Sequence, residues 1–203
     1  MVNSEGKYHL KDAEKKIKDR YTGLNIFTVD LRQVAAGAVS DFPHLKKVDV
    51  RRILPDKLEV DLLVRTPVAV IDTGDGMVID KEGMVLARGM ETNGLVKIKG
   101  VTFFWGAPSP GEKIKTRPVA KALLLLEVLR EKDFIKRYDI EYIDVSDQNN
   151  ILLNIDGVQV KMGNTDFPRK INRLNEMLKD PRMDLKDINY IDLRFEDAVI
   201  SPK

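Results

Sequence analysis

Lys47-Val48-Asp49-Val50-Arg51-Arg52-Ile53-Leu54-Pro55-Asp56-Lys57-Leu58-Glu59-Val60-Asp61-Leu62-Leu63-Val64-Arg65 is the stretch that decides the fold. Its first seven residues alternate, Leu54-Pro55-Asp56-Lys57 is turn chemistry, and the alternation resumes from Leu58. Successive strand side chains point to opposite faces, so Leu58, Val60, Leu62 and Val64 share one side. Two alternating runs around a Pro-Asp turn predict an antiparallel hairpin with one packed face and one wet face.

Upstream lie two helical patterns that cover the packed face. Leu10, Ala13, Ile17 and Tyr21 recur every three or four residues, with Lys11, Asp12, Glu14, Lys15, Lys16 and Lys18 between them. The interleaved signs read as a solvated face, not a nucleic-acid or lipid patch. After Gly23-Leu24-Asn25 a second stripe runs through Leu31, Val34, Ala35, Ala38 and Val39. Thr28 or Asp30 can cap it, because a short oxygen side chain accepts from orphan first-turn amides. Asp41-Phe42-Pro43 stops it, since the residue before proline leaves the helical region. Helix, helix, strand, strand is a small α+β unit.

Downstream of Thr66-Pro67 the texture changes. Short β-like runs, Val68–Ile71, Met77–Ile79 and Met84–Leu86, alternate with Gly-rich turns. A loop-rich stretch from Gly100 to Gly111 holds Phe103, Phe104 and Trp105, and such aromatics are expected to anchor the loop to its sheet. Thr116-Arg117-Pro118 opens a helix carrying Val119, Leu123 and Leu126. Ile140–Val145, Ile151–Ile155 and Val158–Met162 read as strands, with a turn at Asn154–Gly157. Asp166-Phe167-Pro168 opens a helix with Ile171, Leu174 and Leu178. A last strand is expected over Ile188–Phe195, then a short apolar tail, Ala198-Val199-Ile200. The fold class is therefore α+β: a small domain over 1–70 and a larger, mainly antiparallel β domain with flanking helices over 71–203.

Composition narrows the function. Among 203 residues, 34 Lys and Arg stand against 32 Asp and Glu, so the phosphate-neutralising surplus of a nucleic-acid binder is missing. Hydrophobic residues make up 43%, enough for a real core. There is no cysteine, which excludes disulfides, thiolate metal sites and thiol catalysis. With only His9 and His44, no metal site is expected. The longest apolar run, Ala122–Leu126, is far short of the ~20 residues of a membrane span. Nothing apolar follows Met1–Lys7, so no signal peptide is expected.

Catalytic patterns are weak. Val70-Ile71-Asp72-Thr73-Gly74 has the order in which aspartic proteases present a carboxylate, but such an enzyme needs two carboxylates sharing a proton. The nearest second copy, Ile155-Asp156-Gly157, lacks the Thr, so a strand-end turn is the simpler reading. Gly74 and Gly76 have no third glycine at Ile79, and the five serines lack a nucleophile-elbow context. No catalytic residue and no cofactor is expected, and an aspartic-type hydrolase on Asp72 stays as the alternative.

A series of short motifs carries a resemblance. In order they are Gly23-Leu24-Asn25-Ile26-Phe27, Val50–Leu58 with Arg52 and Pro55, and Val64-Arg65-Thr66-Pro67-Val68-Ala69. Then come Ile79-Asp80-Lys81-Glu82-Gly83-Met84-Val85, Val160-Lys161-Met162-Gly163 and Tyr190-Ile191-Asp192-Leu193-Arg194-Phe195. Together they resemble the extracytoplasmic region of the bacterial division family FtsQ, called DivIB in Gram-positive bacteria. The departures are Val64 where Glu is usual and Met162 where Leu is usual. The resemblance implies a POTRA-like first domain, a larger β domain and no catalytic activity. It implies a divisome scaffold in the inner membrane, facing the periplasm at the septum, that binds FtsB and FtsL and so links to septal peptidoglycan synthesis. The membrane helix and most of the first POTRA strand, of which only Val2-Asn3-Ser4 would remain, are expected upstream. A POTRA module of an outer-membrane assembly or secretion system is a further alternative, although no repeat or barrel pattern accompanies it.

Partner contacts are expected by strand addition at the C-terminal edge, through Tyr190, Asp192, Arg194, Phe195, Asp197, Ala198, Val199 and Ile200. Ile191, Leu193 and Phe195 would share one strand face. Arg52, Pro55 and Arg65 are expected on an interaction surface of the first domain.

Overall fold

The computed structural model describes residues 10–89 and 94–203. Val2-Asn3-Ser4, the leader question and His9 lie outside the described residues.

Helices α1 (Leu10–Tyr21) and α2 (Leu31–Asp41) precede β1 (Leu45–Ile53) and β2 (Lys57–Val64). Asp30 caps α2, its carboxylate accepting from the amides of Arg32 and Gln33. In the preceding loop the Asn25 side chain accepts from the Phe27 N–H, an Asx turn that explains Asn at that place. β1 and β2 form a two-stranded antiparallel sheet, and the tip carries a cis Leu54–Pro55 bond. Register slips between Leu45 and Lys47, so Lys46 is a bulge residue. The bulge turns Leu45, Val48 and Val50 to the same side as Val60, Leu62 and Val64, under α1 and α2.

The rest of the chain builds one nine-stranded sheet. Its strands are β3 (Pro67–Ile71), β4 (Met77–Asp80), β5 (Val85–Arg88), β6 (Val96–Lys99), β7 (Ile140–Asp144), β8 (Ile151–Ile155), β9 (Val158–Gly163), β10 (Ile188–Asp192) and β11 (Val199–Pro202). Their order is β11-β10-β9-β8-β7-β6-β3-β4-β5. Five of the pairings are antiparallel and three, β3–β6, β6–β7 and β9–β10, are parallel. Helices α3 (Arg117–Glu131), α4 (Phe134–Arg137) and α5 (Phe167–Met177) supply the crossovers and pack on the sheet. Pro118 and Pro168 sit in the first turns of α3 and α5, where their missing N–H costs nothing.

Register lines up the core. Met77, Ile71, Ile98, Ile143, Leu153, Val160 and Ile191 are successive cross-strand neighbours, all fully buried. The row ends at Ile200 on β11, which is 42% exposed. On the opposite face Lys97, Tyr142, Asn154, Gln159 and Tyr190 form a second, polar row.

Four expectations need correction. β6 and α4 are additional elements. The last strand does not run to Phe195: β10 ends at Asp192, the chain turns through Arg194–Asp197, and Val199–Pro202 returns as the true edge strand. Leu193 is buried while Phe195 is exposed, so they do not share a strand face. Finally, Phe103 packs on the core as expected of a loop anchor, but Phe104 and Trp105 beside it are 87% and 100% exposed.

Candidate functional site: a sheet edge and its corner

The two edges of the large sheet are treated differently. At β5, Val85 exchanges backbone bonds with the loop that follows β6: its N–H donates to Glu112 O and its carbonyl accepts from Gly111 N–H. Met84 bridges to Lys113 as well, so this edge is paired. At β11, among the described residues, backbone bonds run inward to β10 and none is recorded on the outer side. An unpaired edge is a template for another strand.

The side chains expected to bind partners gather at this corner in distinct environments. Tyr190 lies across from Ser201 and carries Lys161 Nζ 3.9 Å from its ring centroid. In the sequence Lys161 figures only within the motif Val160–Gly163 and not among the expected contacts, although the Val158-Val160-Met162 alternation turns it outward onto the face of Tyr190. Asp192 is only 4% exposed. Arg194 holds it, Nε at 2.9 and 3.1 Å from its two oxygens, Nη2 at 2.6 Å and the backbone N–H at 3.0 Å. The Arg194 hydrogen bonds keep the Asp192 carboxyl below the usual carboxylate range. Asp192 therefore shapes the turn that aims β11. Phe195 is 60% exposed, with Arg194 stacked 5.5 Å from its ring and its carbonyl bonded by Arg173. Asp197 is exposed, and Ala198 is half-buried against the core. Val199 and Ile200 are 48% and 42% exposed on the edge itself.

Arg52, Pro55 and Arg65 of the hairpin unit lie in three different settings. Arg52 pairs across from Leu58, hence on the helix-facing side. Its guanidinium donates to the carbonyls of Ile26 at 2.7 Å and Val29 at 2.6 Å, tying the α1–α2 connection to the hairpin. Arg65 has a side chain only 10% exposed, with Nη1 at 2.6 Å from Asp80 and 3.1 Å from Glu82. It is a joint between the hairpin and the large sheet, not an open contact. Pro55 is exposed at the tip, and Arg52 also keeps an exposed surface beside these bonds.

Within one chain the topology keeps Asp72 away from the second carboxylate that an aspartic-type site needs. Asp72 is exposed beyond the end of β3, and the register Ile71↔Ile98 and Lys99↔Asp144 sets that end beside the start of β8. Asp156 lies beyond the opposite end of β8 and accepts from the Asp139 N–H. Two carboxylates at opposite ends of a sheet cannot share a proton. Among the described residues no group of three His, Cys, Asp or Glu is placed to hold a metal ion, and no helix is long and apolar enough to cross a membrane.

Residues 69–194 match the family model described as "Cell division protein FtsQ/DivIB, C-terminal". The cell division protein FtsQ of Geobacter sp. (strain M21) is 31% identical over 185 residues, covering 89% of this chain and 66% of the relative. That of Syntrophotalea carbinolica is 29% identical over 188 residues, 91% of this chain and 66% of the relative. The cell division protein DivIB of Clostridium acetobutylicum is 31% identical over 108 residues, half of this chain and 42% of the relative. The chain thus spans slightly under two thirds of the FtsQ relatives it matches. A family model whose match starts within β3 and runs to Arg194, relatives that align along most of the chain, and the α+β fold lead to one assignment: this chain belongs to the FtsQ/DivIB family of bacterial cell division proteins.

Proposed function

We propose that the chain is a non-enzymatic divisome scaffold whose C-terminal edge strand accepts a strand from an FtsB-type partner, held in an FtsB–FtsL pair. Residues 1–70 would be a POTRA-like domain recruiting other division proteins, and 71–203 the partner-binding β domain. The whole would sit on the extracytoplasmic side of the inner membrane at the septum, behind an N-terminal helix, and act on septal peptidoglycan synthesis through its partners. The observation that carries the reading is the open side of β11, where the buried cross-strand row reaches water at Ile200. A partner strand laid there continues the ladder and covers Ile200 and Val199, with backbone bonds giving affinity and alternate side chains giving selectivity. Lys161, Tyr190 and Phe195 flank that strand as cationic and aromatic contacts.

The test is capture of an FtsB–FtsL ectodomain pair by Val199→Asp and Ile200→Asp. Both side chains face water, so the thermal midpoint should hold while capture falls at least tenfold. Ala198→Asp is a poorer probe, because Ala198 packs on the core. Full capture by both edge variants would refute strand addition at β11.

A further inference from the structure

Phe104 and Trp105 stand side by side in water, yet the loop that carries them is tightly built. Gly100 opens it at φ 78, where an added Cβ would fall 2.1 Å from Ser146 Oγ, so only glycine fits. Val101, Phe103 and Ala107 pack on the main core. At the far end Gly111 bonds to Val85, Ile114 N–H donates to Gly83 O, and Ser109 N–H donates to Glu112 Oε2 at 2.7 Å. Both stems are pinned, and Phe104 and Trp105 are held outward.

We propose that this loop seats Phe104 and Trp105 in the headgroup zone of an anionic lipid surface. The proposal rests on the membrane placement proposed above. Three observations favour lipid. First, Gly100–Gly111 contains no charged residue, while Lys97, Lys99, Lys113, Lys115 and Arg117 flank it and Glu112 is the one carboxylate. Residues 97–117 therefore carry net +4 in a chain whose total is +2, a local excess matched to anionic headgroups. Second, two side chains offer far less than the roughly 800 Å² that a stable protein interface takes from each partner. Trp at the headgroup level needs no shaped pocket: its ring is apolar and its N–H stays wet. Third, the loop lies on the side where the chain enters the fold. Ala13 of the first turns of α1 packs with Leu45, and Gly111 approaches Pro43, two residues before Leu45. An anchor upstream of α1 would bring this side to the bilayer, and tethering makes a weak second contact effective.

Trp105 is the only tryptophan, so it reports its own surroundings. The chain is tethered through an N-terminal hexahistidine tag to nickel-chelating lipid, on vesicles of phosphatidylcholine alone or with phosphatidylglycerol. On the anionic vesicles Trp105 emission should shift to the blue and brominated acyl chains should quench it. Phe104→Ser, which keeps the reporter, should lower that quenching at least twofold with the thermal midpoint unchanged. Lys113→Glu with Lys115→Glu should erase the preference for phosphatidylglycerol. Emission that stays unchanged on both vesicles overturns the proposal. So does a shift seen only when an FtsB–FtsL ectodomain pair is added, which would make the loop a protein contact. Phe104→Ser should still capture that pair through β11. Lost capture in the edge variants bears on the strand-addition reading alone, and lost quenching bears on this one.

Discussion

The hairpin unit and the nine-stranded sheet are stabilised in different ways. Under α1 and α2 the buried cluster consists of Ala13, Ala38, Leu45 and Val48, ringed by half-buried Ile17, Val50, Val60, Leu62 and Val64. Under α3 and α5 a single cluster runs from Val68 to Leu193 and includes Phe134, Phe167 and Leu129. A two-stranded sheet is marginal by itself, and small cores bury too little surface to offset chain entropy comfortably. The smaller unit is correspondingly rich in polar ties. Arg52 grips two loop carbonyls, Lys16 and Arg20 converge on Asp41, and Lys46 with Arg65 reaches Asp80 and Glu82 on the large sheet. The large sheet is thus a stable platform for the β11 edge, whereas the hairpin unit depends on its joint.

The largest loss of stability should come from the core of the large sheet. Phe134 is fully buried, stacked 4.6 Å from Tyr138. Phe134→Ala should cost about 3–5 kcal/mol, from lost transfer energy and the cavity left behind. The loss should appear in chemical denaturation followed by far-UV circular dichroism, as an earlier unfolding of the large sheet. A variant within 1 kcal/mol of the parent would mean that the apparent core is loosely packed.

The joint should come next. Arg65→Ala leaves Asp80, 4% exposed, with one carboxylate oxygen still bonded to the amides of Glu82 and Met84 and the other without its guanidinium. Removing one partner of a buried pair strands a charge, at about 3 kcal/mol. The loss should be local. Hydrogen exchange of the β1 and β2 amides should accelerate while that of β7–β9 holds, because the hairpin unit loses its support. Equal acceleration everywhere would show that the two regions unfold as one.

What could be read from the sequence follows the same division between local and distant causes. The hairpin, a cap of α2 at Thr28 or Asp30 (Asp30 in the structure), and the prolines at Pro43, Pro118 and Pro168 are legible because each acts within a few residues. β6 was not: Val96-Lys97-Ile98-Lys99 is short, and its strand state comes from parallel neighbours far away in the chain. Ile188–Phe195 was overextended because alternation continues past Asp192, while the Asp192–Arg194 ion pair turns the chain. Phe103, Phe104 and Trp105 are alike in sequence, and only the path of the loop decides which one is buried. Arg52 and Arg65 read as surface cations. Arg52 also holds the carbonyls of Ile26 and Val29, and the approach of the β4–β5 turn takes Arg65 into the joint with Asp80 and Glu82. At the C-terminal corner the residue types were found in sequence, but not which of them face water.

The mildest perturbation of the joint is a change of pH. Glu82 accepts from Lys46 and from Arg65, and these bonds, Lys46 foremost, lower its carboxyl from an ordinary 4.5 to about 2. A carboxylate with a depressed folded pKa contributes stability that is fully present above its unfolded value and lost as pH falls through the folded one. The contribution of Glu82 should therefore be complete above pH 4.5 and fade toward pH 2. Glu82→Gln removes it at neutral pH and should leave Asp80 to hold Arg65 alone. Thermal midpoints measured from pH 7 to pH 2 should differ between parent and variant by a constant amount down to about pH 4.5 and then converge. Asp180, lowered to about 2 by Arg182 two residues away, titrates over a similar range within a single turn. Asp180→Asn should leave β1 and β2 exchange untouched, whereas Glu82→Gln should quicken it. A gap between Glu82→Gln and parent that persists unchanged at pH 2 would mean that the Glu82 side chain acts by packing, and that Arg65 and Asp80 carry the electrostatics of the joint without it.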